Sequence, residues 1–292
     1  MGKKVPDQHI ERANLENLKE LVDYAAKAYK ENIAFRYRAG EEVIDVTFNQ
    51  FKSDVYAFMA YLFKNGIKDG QRVALLGENS YEWIVTYFAV VNCGNVIVPI
   101  DKELKPNEIS TLLNDSESVL LVYSKAKENS VKTMQESGIV SEKFLCIGNF
   151  SDALAVGNVY IKEGNDDYKS VEIDKEIMCA IIYTSGTTGD PKGVMLSHKN
   201  LARDAYLAMS CMIIPDTTIA ILPLNHTFGF MASILCQIWM GYSVFINNNL
   251  KTILKEIQEA KPKHISMVPL FVENFYKNIW KAVDKKGKTK AF

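Results

Sequence analysis

One stretch of this sequence organises the rest: Tyr183-Thr184-Ser185-Gly186-Thr187-Thr188-Gly189-Asp190-Pro191-Lys192-Gly193. The apolar run at 178–183 before it is typical of a buried strand, and residues 194–196 predict a second short strand after it. Glycines let backbone N–H groups turn toward an anion, hydroxyls donate to phosphate oxygens or bind magnesium, and lysine adds positive charge. The loop composition therefore predicts a polyphosphate site at the end of the first strand.

The spacing within this loop differs from that of a Walker A loop, which requires G-x-x-x-x-G-K-[ST]. Gly186 and Gly189 are three positions apart, and Gly193 follows Lys192 where a serine or threonine is needed. A phosphotransferase that uses the loop as a kinase does, without forming AMP, is therefore disfavoured. A flexible, solvated Gly/Thr-rich loop is the structural alternative.

Bulk composition indicates an ordinary soluble globular protein, since 48% of the 292 residues are hydrophobic and 24% are charged. The net charge of -1 gives no reason to expect a nucleic acid partner. The five cysteines are scattered, which predicts buried free thiols and a reducing compartment. No stretch reaches the ~20 apolar residues that a membrane-spanning helix needs, so we expect a cytoplasmic protein.

Strands and helices alternate along the chain, which predicts an α/β fold with doubly wound, mostly parallel sheets. A first series runs from the strand at 72–76 to the strand at 144–147. Residues 148–177 show no clean period and predict a long excursion outside the sheet. A second series begins at 219 and includes an expected helix at 228–240, an expected strand at 264–268 and a helix opened by Pro269.

The pattern divides the chain into two approximate units. Residues 67–212 are expected to form a first αβ sheet that ends in the phosphate loop. Residues 1–66 and 213–292 are expected to form a second, incomplete αβ sheet. The first segment of this second unit predicts a helix at 15–29, a hairpin at 33–46, and a helix after a Thr47–Gln50 capping box.

The loop resembles the phosphate-binding motif of the adenylate-forming superfamily, Y-T-S-G-T-T-G-x-P-K-G. This superfamily contains acyl-CoA synthetases, nonribosomal peptide adenylation domains and luciferases, and the resemblance extends over most of the chain. It implies that Thr184 is a magnesium ligand. It also implies that the phosphates are held by Thr184, Ser185, Gly186, Thr187, Thr188, Gly189 and Lys192.

A second motif follows the strand predicted at 219–222: Pro223-Leu224-Asn225-His226-Thr227-Phe228-Gly229-Phe230. The resemblance implies that His226 is a catalytic residue beside the carboxylate substrate. It also implies that Phe230 occupies the position of a bulky aromatic residue that guards the acyl tunnel in fatty acyl-CoA synthetases. Phe228 competes for that role, and core packing explains both rings equally well.

The resemblance supplies an expected reaction. A carboxylate attacks the α-phosphate of ATP, with Mg²⁺ present, to give an acyl-adenylate and pyrophosphate, and a thiol then takes the acyl group. Coenzyme A is the expected thiol, with a carrier protein as the alternative. A long-chain fatty acid is the expected carboxylate, whereas an aromatic, short or amino acid stays possible. A non-catalytic nucleotide- or acyl-binding module is the alternative from another functional class.

The resemblance also implies elements that these 292 residues lack. Superfamily members carry a Y-G-x-T-E-like motif near the adenine, an acidic residue for the ribose, and a mobile C-terminal lid domain with a catalytic lysine. We therefore expect an N-terminal portion of an AMP-binding acyl-CoA synthetase, truncated before the lid domain and incomplete for catalysis alone. Sheet edges left uncovered in such a portion predict homodimerisation or aggregation.

Overall fold

A computed structural model describes residues 13–138, 143–185, 191–211, 216–249 and 251–285. The strands are β1 (Ile33–Ala39), β2 (Glu42–Thr47), β3 (Arg72–Leu76), β4 (Val96–Ile100), β5 (Ser118–Tyr123), β6 (Lys143–Cys146), β7 (Met178–Ser185), β8 (Pro191–Ser197), β9 (Thr217–Ala220) and β10 (Ser243–Ile246). The helices are α1 (Leu18–Tyr29), α2 (Phe48–Lys64), α3 (Tyr81–Asn92), α4 (Pro106–Asp115), α5 (Glu128–Glu136), α6 (Phe150–Lys162), α7 (His198–Cys211), α8 (Thr227–Phe230), α9 (Cys236–Met240), α10 (Ile253–Ala260) and α11 (Pro269–Lys285).

The strands form two sheets. The larger has the order β6-β5-β3-β4-β7-β8, and the smaller has the order β2-β1-β10-β9. Neighbouring strands are parallel except for β7 with β8 and β1 with β2. The strand that follows β4 in sequence, β5, pairs on the other side of β3, which is the reversal of a doubly wound sheet. The predicted fold class is confirmed.

A single buried cluster connects the two sheets. It contains Val73 and Ile97 from the larger sheet, and Val244 and Ile246 from the smaller one. Helix α2 packs against α3 and α6, which lie in the other predicted unit. The division into 67–212 and 1–66 with 213–292 stays a prediction, because the helices of both units share this core.

Several helix starts have the caps that the sequence indicates. The Ser80 hydroxyl accepts a hydrogen bond from the Trp83 amide at 3.1 Å, and the Ser197 hydroxyl accepts one from the Asn200 amide at 3.2 Å. At α2 only half of the predicted capping box forms. The Gln50 amide donates to the Thr47 hydroxyl at 3.1 Å, but the Gln50 side chain donates to an Asp54 carboxylate oxygen instead of reaching back.

Residues 148–177 lie outside both sheets, as the sequence predicts, but they contain a helix that the sequence did not indicate, α6 at Phe150–Lys162. Gly157 lowered the helical signal in the sequence, and packing explains its presence. A Cβ added at Gly157 would lie 1.9 Å from the carbonyl oxygen of Ala57 on α2. The two helix backbones therefore cross too closely for any side chain at this position.

The strand predicted at 264–268 does not form, so this prediction was wrong. This segment makes one isolated parallel bridge, between His264 and Thr218. Prolines at 262 and 269 flank the segment, and proline cannot donate to a ladder. Among the helices of the described residues, none is both long enough and apolar enough to span a bilayer.

Candidate active site

Strands β7 and β8 form an antiparallel hairpin, which we call the phosphate hairpin (residues 178–197). Its register places Thr184 directly opposite Lys192, and both residues are exposed. Side chains at directly opposed positions have Cβ atoms about 4.5–5.5 Å apart and point to the same face. The strand geometry therefore brings a hydroxyl and an ammonium group together near the tip of the hairpin.

These two residues lie on the face of the larger sheet that packs on the large buried cluster. Ile182 precedes Thr184 by two positions and so shares its face. The Ile182 side chain packs against the buried cluster that also contains Leu224 and Phe230. The hydroxyl and ammonium groups therefore extend from the side that packs on this cluster.

Gly186, Thr187, Thr188 and Gly189 lie outside the described residues, and the side chain of Ser185 does as well. Their roles in holding phosphates stay predictions.

Tyr183 anchors the hairpin to helix α4. Its hydroxyl donates a hydrogen bond to the carboxylate of Asp115, the last residue of α4. Burial and this hydrogen bond raise the pKa of the Tyr183 phenol above its ordinary value. Sequence reasoning missed the contact, because 68 residues separate the two partners.

The segment 222–230, which we call the histidine turn, leaves β9 and begins α8. The amide of His226 donates to the carbonyl of Pro223 at 3.3 Å, and the amide of Phe230 donates to the carbonyl of His226 at 3.0 Å. A Cβ added at Gly229 would lie 2.4 Å from the Pro223 oxygen. The turn is therefore tightly folded, and it leaves His226 exposed.

The two phenylalanines of the turn have different environments. Phe230 is 3% exposed and packs on α3, with its ring centroid 4.0 Å from Tyr87 and 5.9 Å from both Trp83 and Phe88. Phe228 is 54% exposed. In this conformation Phe230 belongs to the aromatic core, and Phe228 is the accessible ring near His226. A role for Phe230 in substrate binding stays a prediction.

The helix that follows Phe230 is not regular. Residues Met231–Leu235 form a π-helical segment between α8 and α9. The side-chain amide of Gln237 donates to the carbonyl of Ala232 at 3.0 Å within this segment. Wide π turns occur often near functional sites, and here the irregularity lies directly after the histidine turn. The sequence predicted a continuous helix at 228–240.

Asn79 joins the histidine turn to the larger sheet, and sequence reasoning missed it. Its side-chain NH₂ donates to the carbonyl of Leu222 at 2.9 Å, and its side-chain oxygen accepts from the amide of Leu224 at 3.1 Å. Asn79 follows β3 and precedes the cap Ser80. Its position as a polar residue after a parallel strand is the one sequence signal that could have indicated it.

The described residues of this site offer few ligands for magnesium. Within the described ranges, no three His, Cys, Asp or Glu side chains are grouped to hold a metal ion. The exposed Thr184 hydroxyl is one oxygen donor. A single protein oxygen fits the way Mg²⁺ is bound in nucleotide sites, where substrate phosphates and water supply most ligands.

Curated proteins from other organisms are similar to this chain in sequence. Long chain acyl-CoA synthetase 4 of Arabidopsis thaliana is 28% identical over 248 residues, which cover 78% of this chain and 37% of that protein. Malonate–CoA ligase ACSF3 of Xenopus laevis is 31% identical over 183 residues, which cover 60% of this chain and 30% of that protein. The chain thus spans well under half the length of these two relatives.

A solved structure shares the fold. The N-terminal domain of FACL13 from Mycobacterium tuberculosis matches with a TM-score of 0.76 at 20% identity, over 89% of this chain and 64% of that chain. Residues 22–290 match the family described as AMP-binding enzyme. Because this match covers nearly the whole sequence, including the phosphate hairpin and the histidine turn, the chain belongs to the AMP-binding enzyme family.

Proposed function

We propose that this chain supplies the phosphate and carboxylate sites of an ATP-dependent, AMP-forming acid–thiol ligase. The observation that carries the proposal is the pairing of Thr184 with Lys192 across the phosphate hairpin, on the sheet face that packs on the same buried cluster as Leu224 and Phe230 of the histidine turn. A hydroxyl, a positive charge and an exposed imidazole would then serve one reaction centre.

In the proposed reaction, a substrate carboxylate attacks the α-phosphate of ATP, the bond to the β-phosphate breaks, and pyrophosphate leaves. Lys192 offsets the negative charge of the departing phosphates, and the Thr184 hydroxyl donates to a phosphate oxygen or binds magnesium. His226 helps to hold the carboxylate near the α-phosphate. When bound, Mg²⁺ would further neutralise the phosphate charge.

A long-chain fatty acid is the proposed carboxylate. The exposed Phe228 ring offers apolar surface beside His226, and Phe230 with Met231 would extend it if the acyl chain displaced these side chains. The Arabidopsis relative is named for long-chain acyl groups, whereas the Xenopus relative is named for malonate. An adenylation domain for another carboxylate is therefore kept as the alternative.

Coenzyme A is the proposed acyl acceptor. The complete reaction is proposed for the polypeptide in which the adenine and lid elements are present. A cytoplasmic location and a homodimer also stay predictions; sedimentation of the purified chain tests the second.

The experiment is carboxylate-dependent ATP–pyrophosphate exchange, measured with palmitate, acetate, malonate, benzoate and an amino acid mixture. Exchange with palmitate that is reduced by Lys192→Ala supports the proposal in full. Lys199→Ala is the matched control, because Lys199 is an exposed lysine on α7 that pairs with Glu176. If exchange occurs with another acid and not with palmitate, that acid replaces the long-chain fatty acid as the proposed substrate.

Binding assays complete this test. ATP or acyl binding by the folded chain without exchange would favour a non-catalytic binding module or a chain that needs the lid elements. Adding a polypeptide that carries the lid elements distinguishes these two explanations. A chain that needs the lid elements would gain exchange, whereas a non-catalytic binding module would not. Phosphate transfer without AMP would overturn the adenylation proposal.

A further inference from the structure

We propose that Asn79 is a positioning residue that fixes His226 relative to the phosphate hairpin. The inference rests on the proposed function and deepens it, because it assigns a role to a residue that touches neither nucleotide nor carboxylate. The residue acts through the backbone of the histidine turn.

The Asn79 side chain satisfies two backbone groups that have left their sheet. Strand β9 ends at Ala220, and the chain then turns away. The carbonyl of Leu222 and the amide of Leu224 are both paired with the Asn79 side chain, at 2.9 Å and 3.1 Å. A single amide side chain thus replaces a neighbouring strand, and it holds the backbone on both sides of Pro223.

Pro223 links the backbone that Asn79 holds to His226. Its carbonyl oxygen accepts the hydrogen bond from the His226 amide at 3.3 Å. The same oxygen lies where a Cβ on Gly229 would clash, at 2.4 Å. Only the Pro223 peptide and one turn separate the Asn79 contacts from His226, so a shift at Leu222 or Leu224 would move the imidazole.

The location of Asn79 gives this contact a functional meaning. Asn79 follows β3, and β4 alone separates β3 from β7 of the phosphate hairpin. His226 follows a strand of the smaller sheet. The Asn79 contacts therefore tie the carboxylate side of the proposed site to the sheet that carries the phosphate side. Adenylation requires the reacting atoms to approach closely, and a misplacement of about 1 Å can reduce the rate about 100-fold.

Asn95 provides a matched control. Its side chain donates to the carbonyl of Ile67 at 3.2 Å and accepts from the amide of Gln71 at 3.1 Å. Both asparagines adjoin strands of the larger sheet and make the same two kinds of bond, but Asn95 precedes the amino end of β4, whereas Asn79 follows the carboxyl end of β3. Asn95→Ala therefore removes an equivalent pair of hydrogen bonds without touching the histidine turn.

The first measurement is exchange kinetics. We expect Asn79→Ala to lower kcat about 10- to 100-fold while the KM for ATP stays unchanged, because alignment is lost and phosphate binding is kept. Asn95→Ala should lower stability but keep kcat. Equal kcat losses in the two variants would show a general structural role and overturn the inference.

The second measurement does not depend on activity. The ring Cε1–H signal of His226 is assigned by NMR with His226→Gln, which removes one of the four histidines. We expect this signal to shift or split in Asn79→Ala and to stay unchanged in Asn95→Ala. An unmoved signal in folded Asn79→Ala overturns the inference. Absence of exchange with every acid, even after the adenine and lid elements are supplied, counts against the proposed function alone, and the NMR result then decides the positioning role.

Discussion

Tyr183 and Gly193 lie opposite each other in the phosphate hairpin, and the tyrosine ring borders the space that a side chain at 193 would need. A Cβ added at Gly193 would lie 3.4 Å from the Tyr183 ring and 2.8 Å from Cγ2 of Ile181. Glycine therefore lets the two strands and the anchored tyrosine pack closely. This requirement explains a residue that follows Lys192 in the motif without needing to contact a phosphate.

Gly193→Ala is expected to destabilise the chain by about 1–3 kcal/mol, because the added methyl group forces Ile181 or the hairpin to move. A displaced β8 also moves Lys192, so the KM for ATP should rise. Urea denaturation measures the first effect, and exchange at varied ATP concentration measures the second.

The steric explanation is tested with a double-mutant cycle. Ile181→Ala removes the Cγ2 atom that the new methyl group would meet. The double variant Ile181→Ala/Gly193→Ala should be about 1 kcal/mol more stable than the sum of the single effects indicates. Strictly additive effects would show that Ile181 is not the obstacle.

Thr184→Val tests the magnesium assignment, since valine keeps the shape of threonine but lacks the hydroxyl. We expect the Mg²⁺ concentration for half-maximal exchange to rise about tenfold, because valine offers no oxygen to coordinate the ion. Mg²⁺ is titrated at constant ATP. Thr111→Val is the control, because the exposed Thr111 hydroxyl donates to the Asn107 carbonyl within α4 at 3.0 Å. A change of equal size in both variants would remove Thr184 as a ligand.

His198 makes stability depend on pH. This histidine is 1% exposed at the start of α7, and its Nδ1 accepts a hydrogen bond from the Leu18 amide at 3.3 Å. Burial lowers its pKa from 6.5 to about 4, although a hydrogen bond to the Val91 backbone opposes the shift. The folded state therefore binds this proton more weakly than the unfolded state does.

The sign of the effect follows from that difference. Neutral His198 contributes about 3 kcal/mol to the free energy of unfolding. This contribution is complete above about pH 6.5 and is lost as the pH falls toward 4. Urea denaturation across this range measures it. His198→Gln should flatten this part of the profile, and an unchanged slope in that variant would assign the pH dependence to other groups.

Features set by neighbouring residues could be predicted from this sequence, whereas contacts between distant residues could not. The hairpin that pairs Thr184 with Lys192 was predictable, because two apolar runs flank a loop rich in glycine and hydroxyls. The contacts of Asn79 with Leu222 and Leu224 were not, since the partners are 143 and 145 residues apart. The environments of the two phenylalanines in the histidine turn also required the structure, because only packing against α3 separates a buried ring from an exposed one.

Gly157→Ala gives the sharpest test of the packing between α2 and α6. Alanine has the higher helix propensity, by about 1 kcal/mol, so local preference alone would stabilise α6. The added Cβ would, however, lie 1.9 Å from the Ala57 carbonyl oxygen and 3.1 Å from the Tyr61 amide, both in helix backbone that cannot rotate away. We expect the free energy of unfolding, measured by urea denaturation, to fall by about 1–3 kcal/mol.

Gly148→Ala is the control for this prediction. The new Cβ would meet only the Cys146 sulfur at 3.5 Å, so stability should change by less than about 0.5 kcal/mol. A stabilised Gly157→Ala variant would mean that the helices cross farther apart than they do here.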